Sequence, residues 1–217
     1  MEIVHWLMGL VTWFFDIVLH LDSHLVELLR QYGAWIYIIL FGVVFAETGF
    51  VVTPFLPGDA LLFGVGALAA VDTSGSLSAP LASLVLIAAA VSGNTANYHI
   101  GRWIGPAAFS GNYRWLKVEY LRRTEEFFVK HGSQTIVLSR FAPIIRTFTP
   151  FVAGVARMPY ARFQANNFLG GTLWVLSLTW AGFFFGNLPF IKNNFGFVTI
   201  GIVVVSMLPL AWAGLKR

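Results

Sequence analysis

With 217 residues, 57% of them hydrophobic and 11% charged, and a mean hydropathy of +0.73, this is a membrane composition; soluble domains carry about 25% charged residues. The length is expected to hold one membrane domain without an additional soluble enzyme. The formal net charge of +4 is not gathered on a polar domain, which argues against a nucleic-acid partner, and the lack of cysteine excludes disulfides and thiolate metal sites.

In chain order, residues 3–21 form a first apolar segment, interrupted by Asp16 and His20. Its flank carries Glu2 rather than a basic residue, so it is expected to be retained as a helix, spanning the bilayer or lying along it. The stretch DSHLVELLRQYG that follows is polar enough for the interface. Residues 34–70 are apolar for nearly forty residues, too long for one span of about 20. They are broken in the middle by AETGFVVTPFLPGDA, which holds Glu47, Asp59, Pro54, Pro57 and Gly58. A polar turn around Asp72 leads into a span over 81–103, and 112–131 reads as a basic amphipathic segment on the cytoplasmic surface. A second broken passage, 135–158, holds Arg140, Pro143, Arg146, Pro150 and Gly154, and two spans fill 163–215.

Lysine and arginine concentrate around 112–131 and at the C-terminus, whereas the Asp72 turn has none, so the C-terminus is expected on the cytoplasmic side. That layout closes only if each broken passage enters and leaves on one side. The predicted fold is therefore all-α: one integral membrane domain, 1–217, with two oppositely oriented re-entrant hairpins. TPFLPG (Thr53–Gly58) and TPFVAG (Thr149–Gly154) share T-P-F-x-x-G, the trace an inverted repeat would leave. The hairpin breaks are expected at Pro54, Pro57, Gly58, Pro143, Pro150 and Gly154.

Irregular backbone at membrane depth is tolerated where it is buried in protein or lines a wet cavity. Glu47 and Asp59 flank the first break and Arg140 and Arg146 accompany the second, so the four can face one cavity, the acids exchanging protons and the arginines holding phosphate. The alternative is a set of buried salt bridges that ties the hairpins together. Which acid pairs with which arginine is left open by the sequence. Asn94, Asn97 and Tyr98 are candidates to line the cavity, with helix packing as the equal alternative, as it is for Asn166 and Asn167. His99 reads as an interfacial residue rather than a metal ligand. No metalloprotease, nucleophile-elbow or P-loop motif is present, so neither enzyme activity nor a cofactor is expected.

ETGFVVTPFLPGD, GNTANYHIGR and SRFAPIIRTFTPFVAG, in that order, resemble the DedA family, the bacterial branch of the VTT-domain (SNARE-associated) membrane proteins. The resemblance runs over nearly the whole chain and implies paired re-entrant hairpins in a bacterial inner-membrane protein. It further implies movement of undecaprenyl phosphate or phospholipid between leaflets, linked to the proton motive force and supporting envelope integrity. The family's essential acids fall on Glu47 and Asp59 and its essential arginines on Arg140 and Arg146. One departure is Gly93-Asn94, where many members read G-D. The expected partners are membrane lipids and protons, with a homo-oligomer left open. The rival readings are a proton-coupled exporter of small cations or drugs and a non-transporting scaffold.

Overall fold

The computed structural model describes residues 20–50, 58–108, 132–202 and 204–205, and every regular element among them is helical. They are α1 (Leu21–Tyr32), a 3-10 turn (Gly33–Trp35), α2 (Ile36–Gly49), α3 (Gly58–Ala69), α4 (Ala79–Ala108), α5 (Gln134–Ser139), α6 (Pro143–Val155), α7 (Tyr160–Phe185), α8 (Pro189–Asn193) and α9, residues 195–202. The stretches Leu21–Gly49, Ala79–Gly105 and Tyr160–Phe185, of 29, 27 and 26 residues, are long and apolar enough to cross a membrane. At about 1.5 Å per residue each exceeds the roughly 30 Å hydrocarbon core. The expected helix over 3–21, the amphipathic segment 112–131, and Pro54 and Pro57 lie outside the described residues, as does most of the last span.

Local chemistry explains the boundaries. Ser78 precedes α4 and its Oγ accepts the Leu81 N–H at 3.3 Å, an N-cap with Pro80 in the first turn. Pro143 opens α6 at its first position, after Ala142 in extended backbone. Helix-borne hydroxyls turn back on their own backbone: Thr48 on Val44, Ser83 on Ala79, Thr95 on Val91 and Thr149 on Ile145. Such bonds keep these hydroxyls from standing bare in an apolar setting.

The chain divides into two compact units. The first takes the described residues of Met1–Ile39, Pro57–Leu84 and Leu176–Ala211. At its centre is α3, whose residues Gly58 to Ala67 are all buried. Twelve residues rise only about 18 Å, too short to span a bilayer, so this apolar helix is satisfied by protein around it. Leu21 and Leu25 of α1 cover Gly64, the tilted rings of Phe63 and Phe195 lie 6.1 Å apart, and Asn187 Nδ2 donates to Ala67 O in the last turn of α3.

The second unit takes the described residues of Leu40–Leu56, Val85–Val175 and Trp212–Arg217. Its core is Tyr98, Ile136, Ala153, Met158 and Phe163. Here the structure corrects two of the predicted breaks. The second passage breaks at 140–142, between α5 and α6, so Pro143 begins a helix while Pro150 and Gly154 lie inside it. Gly154 is a packing position: a Cβ there would sit 2.0 Å from Tyr98 O of α4.

Each unit contains a helix crossing made through glycine that matches one in the other unit residue by residue. In the first, a Cβ on Gly66 would meet Thr179 O at 1.8 Å and Phe183 N at 2.9 Å, and one on Gly182 would meet Phe63 O at 1.9 Å. In the second, Gly154 meets Tyr98 O and Arg102 N at 2.0 and 2.8 Å, and Gly101 meets Phe151 O at 2.1 Å. Gly186 against Ala67 likewise matches Gly105 against Val155. The spacings along each helix are the same, so Gly66 corresponds to Gly154, whereas the shared hexapeptide would pair Gly154 with Gly58.

Candidate functional site

The site is assembled in the second unit from four helix faces. The last turn of α2 supplies Glu47, and the break after α5 supplies Arg140. Arg146 follows in the first turns of α6. Ala90, Asn94 and Asn97 on α4, and Asn167, Gly171 and Trp174 on α7, each fall at i, i+4, i+7, so each set lines one face of its helix.

Arg146 Nη2 donates to Glu47 Oε1, and both side chains are buried. The Arg146 guanidinium carbon also lies 4.7 Å from the centroid of the Trp174 ring, with that of Arg140 at 5.9 Å from the same ring. Delocalised guanidinium groups suit such a shared aromatic face better than an ammonium would. Arg140 Nη2 donates to Ala90 O at 3.0 Å and to Asn167 Oδ1 at 2.7 Å. With its amide turned to suit these donors, Asn94 Oδ1 accepts from Arg140 Nη2 at 2.8 Å and from Nε at 3.3 Å. Asn167 Nδ2 is itself held by Val91 O at 3.0 Å. Arg140 Nη1, equally buried, has no hydrogen-bond partner among the described residues.

Asn97 supports this arrangement from beneath. Its Nδ2 donates to Thr147 O at 2.8 Å and to Thr48 O at 3.2 Å. Thr48 is in the last turn of α2, where carbonyls lack helical donors. One amide thus ties together the backbones that immediately follow Glu47 and Arg146.

Of the predicted site residues, Glu47, Arg140, Arg146 and Asn94 come together. Asn97 positions them through backbone carbonyls. Tyr98 does not line a cavity: it is fully buried, stacks on Phe163 at 4.3 Å, donates to Met158 O and accepts from Arg102 at 2.9 Å. Asp59 sits in the first turn of α3, 5% exposed, where the helix N-terminus favours a carboxylate, and belongs to the other compact unit. Asn167, for which cavity lining and helix packing stood as equal alternatives in the sequence, and Trp174, not singled out at all, prove to be direct contacts of the arginines. The i, i+4, i+7 spacing of Asn167 and Trp174 on one span was the available signal.

The chain matches the VTT domain over residues 56–184. It is 48% identical to protein DedA of Escherichia coli K12 over 203 residues, 93% of this chain and 92% of that one. It belongs to the DedA family of VTT-domain membrane proteins. The inner membrane protein YqjA of Escherichia coli K12 is a further relative, 38% identical over 155 residues, 71% of this chain and 69% of that one. An uncharacterized membrane protein of Mycobacterium leprae is 42% identical over 178 residues, 80% of this chain and 78% of its own length. No solved structure matches the chain. The DedA-family assignment and the apolar helices agree on a membrane protein.

Proposed function

We propose that this DedA-family protein is a lipid translocase that moves an anionic headgroup, polyprenyl phosphate or phospholipid, across the inner membrane in exchange with protons. The observation that carries the reading is Arg140, a buried guanidinium held by the neutral oxygens of Ala90, Asn167 and Asn94, whose Nη1 has no hydrogen-bond partner among the described residues. A buried cationic donor in such surroundings favours an anion, and a phosphate can accept from a guanidinium bidentately. The same donor speaks against the small-cation exporter. Glu47 takes up or releases a proton as the headgroup comes and goes, with buried Asp59 as a second carboxylate for the cycle.

In this reading the chain is multi-pass with a cytoplasmic C-terminus, and the connections from α2 to α3 and from α5 to α6 are the tips of re-entrant hairpins. The matched glycine crossings support an inverted repeat, in which each short helix packs on the long helix of the other half. The lipid tail stays in the bilayer while the headgroup enters the polar site.

The test is reconstitution into liposomes holding labelled polyprenyl phosphate or labelled phospholipid, with lipid accessibility followed with and without a pH gradient. Wild type is expected to move one of them in a gradient-sensitive way, and Glu47→Gln to lose that sensitivity. No movement of either lipid by folded protein rejects the translocase.

A further inference from the structure

Arg140 and Arg146 flank the same helix break, yet their surroundings differ in kind. Arg146 is engaged by a carboxylate, Glu47. Arg140 is held by neutral oxygens alone, those of Ala90, Asn167 and Asn94, and its buried Nη1 has no hydrogen-bond partner among the described residues. The charged groups that act on Arg140 are Arg146, which repels it, and Glu47, already spoken for by Arg146. The faces of α4 and α7 packed against it contribute Asn94, Asn167 and Trp174, none of which titrates in the working range.

We infer that the two arginines divide anion recognition between them and that the uncharged Asn94 sets the division. Arg140 is a standing receptor that offers Nη1 to a phosphate oxygen at all times. Arg146 joins the same phosphate only when Glu47 is protonated or turned aside. With Arg146 engaged by Glu47, the resting site offers one guanidinium, that of Arg140, and matches a singly charged phosphate. A doubly charged phosphate, such as a fully ionised monoester, fits once a proton on Glu47 has released the second guanidinium. The inference rests on the anionic-headgroup reading above and adds the charge class of the headgroup, the proton that accompanies the second charge, and the residue that sets both.

A carboxylate at position 94 would occupy Arg140 as Glu47 occupies Arg146. Binding of a short-chain phosphatidic acid to the purified full-length protein in detergent is the readout, with inorganic phosphate as competitor to separate recognition of the headgroup alone from recognition of the lipid. Asn94→Asp is expected to weaken binding roughly tenfold or more at neutral pH, the scale of one lost charge-assisted contact. Asn94→Leu, which removes the acceptor without adding charge, is expected to weaken it far less, and Glu47→Gln to strengthen it. A role for Asn94 in packing alone gives the opposite order, because aspartate keeps the hydrogen bond and leucine loses it. Asn94→Asp binding as tightly as wild type, or Asn94→Leu binding more weakly than Asn94→Asp, overturns the inference. If Asn94→Asp does not fold, Asn167→Asp brings the same charge to Arg140 from α7 and is read the same way. Binding that follows this order in a protein that moves no lipid would reject the translocase and leave the division of roles standing.

Discussion

A carboxylate buried as completely as Glu47 is stable only while its counter-charge is present. Removing Arg146 takes away the guanidinium that pairs with it, at a cost of about 3–5 kcal/mol for a buried pair. Removing Glu47 is less severe, because Arg146 keeps the face of Trp174. Arg146→Ala should therefore lower the thermal midpoint in detergent more than Glu47→Ala does, and the double variant should recover part of the loss. A double variant less stable than Arg146→Ala would mean that the two side chains do not depend on one another. At this scale the chemistry of the site was legible in the residue types, since acids and arginines beside breaks in apolar segments are rare. The pairing was not legible: it depends on which helix faces meet, and neither Asn97 nor Trp174 announces the meeting from its own neighbours in sequence.

Among the described connections between elements, the turn from α3 into α4 is tightly specified by side chains. Asp72 Oδ1 accepts from Ser74 N at 3.0 Å and Ser74 Oγ at 2.6 Å, and Oδ2 accepts from Leu77 N at 2.8 Å. Tyr37 Oη accepts the Ser78 N–H at 2.8 Å and joins the turn to α2. The Ser74 hydroxyl first, then the Leu77 N–H, hold the Asp72 carboxyl below its ordinary value of 3.8. A lowered carboxylate contributes stability above its unfolded value and loses it as pH falls through the folded one. Wild type should therefore be more stable than Asp72→Asn at neutral pH, and the difference should close in acid, below about pH 4. A difference in thermal midpoint that stays constant from neutral pH into acid would rule out this role. The element boundaries were legible wherever a cap or a first-position proline marked them, as at Ser78 and Pro143. They were misread at Pro150 and Gly154, because a proline inside an apolar helix persists when neighbours satisfy the freed carbonyls, and a glycine can serve approach rather than turning.

Over the whole molecule, composition alone identified a helical membrane protein, and the three long apolar helices follow from hydropathy. The match between the two glycine crossings runs in a different register from the shared hexapeptide. Its carriers are glycines set by backbone approach, which leave little trace in a hydrophobic alphabet, whereas T-P-F-x-x-G is conspicuous and pairs other residues. Equivalence of the two crossings makes a measurable claim. Gly101→Ala and Gly182→Ala each drive a methyl group into a phenylalanine carbonyl, that of Phe151 or Phe63, and both should greatly reduce the yield of folded protein to a similar degree. Gly42→Ala, in open space on α2, should be neutral or slightly stabilising, since alanine is the better helix former by about 1 kcal/mol. Tolerance of one crossing variant beside loss of the other, measured as monodisperse protein in detergent, would break the equivalence.

The glycine crossings have a mechanical consequence as well. Where backbone lies directly on backbone, no large side chain is interlocked at the point of closest approach, so a change of tilt there requires little repacking. Such a contact behaves as a pivot: it fixes where two helices touch and leaves the angle between them weakly determined. Both short helices, α3 and α6, are mounted on pivots of the same build, and each can rock about its own contact without that contact being lost.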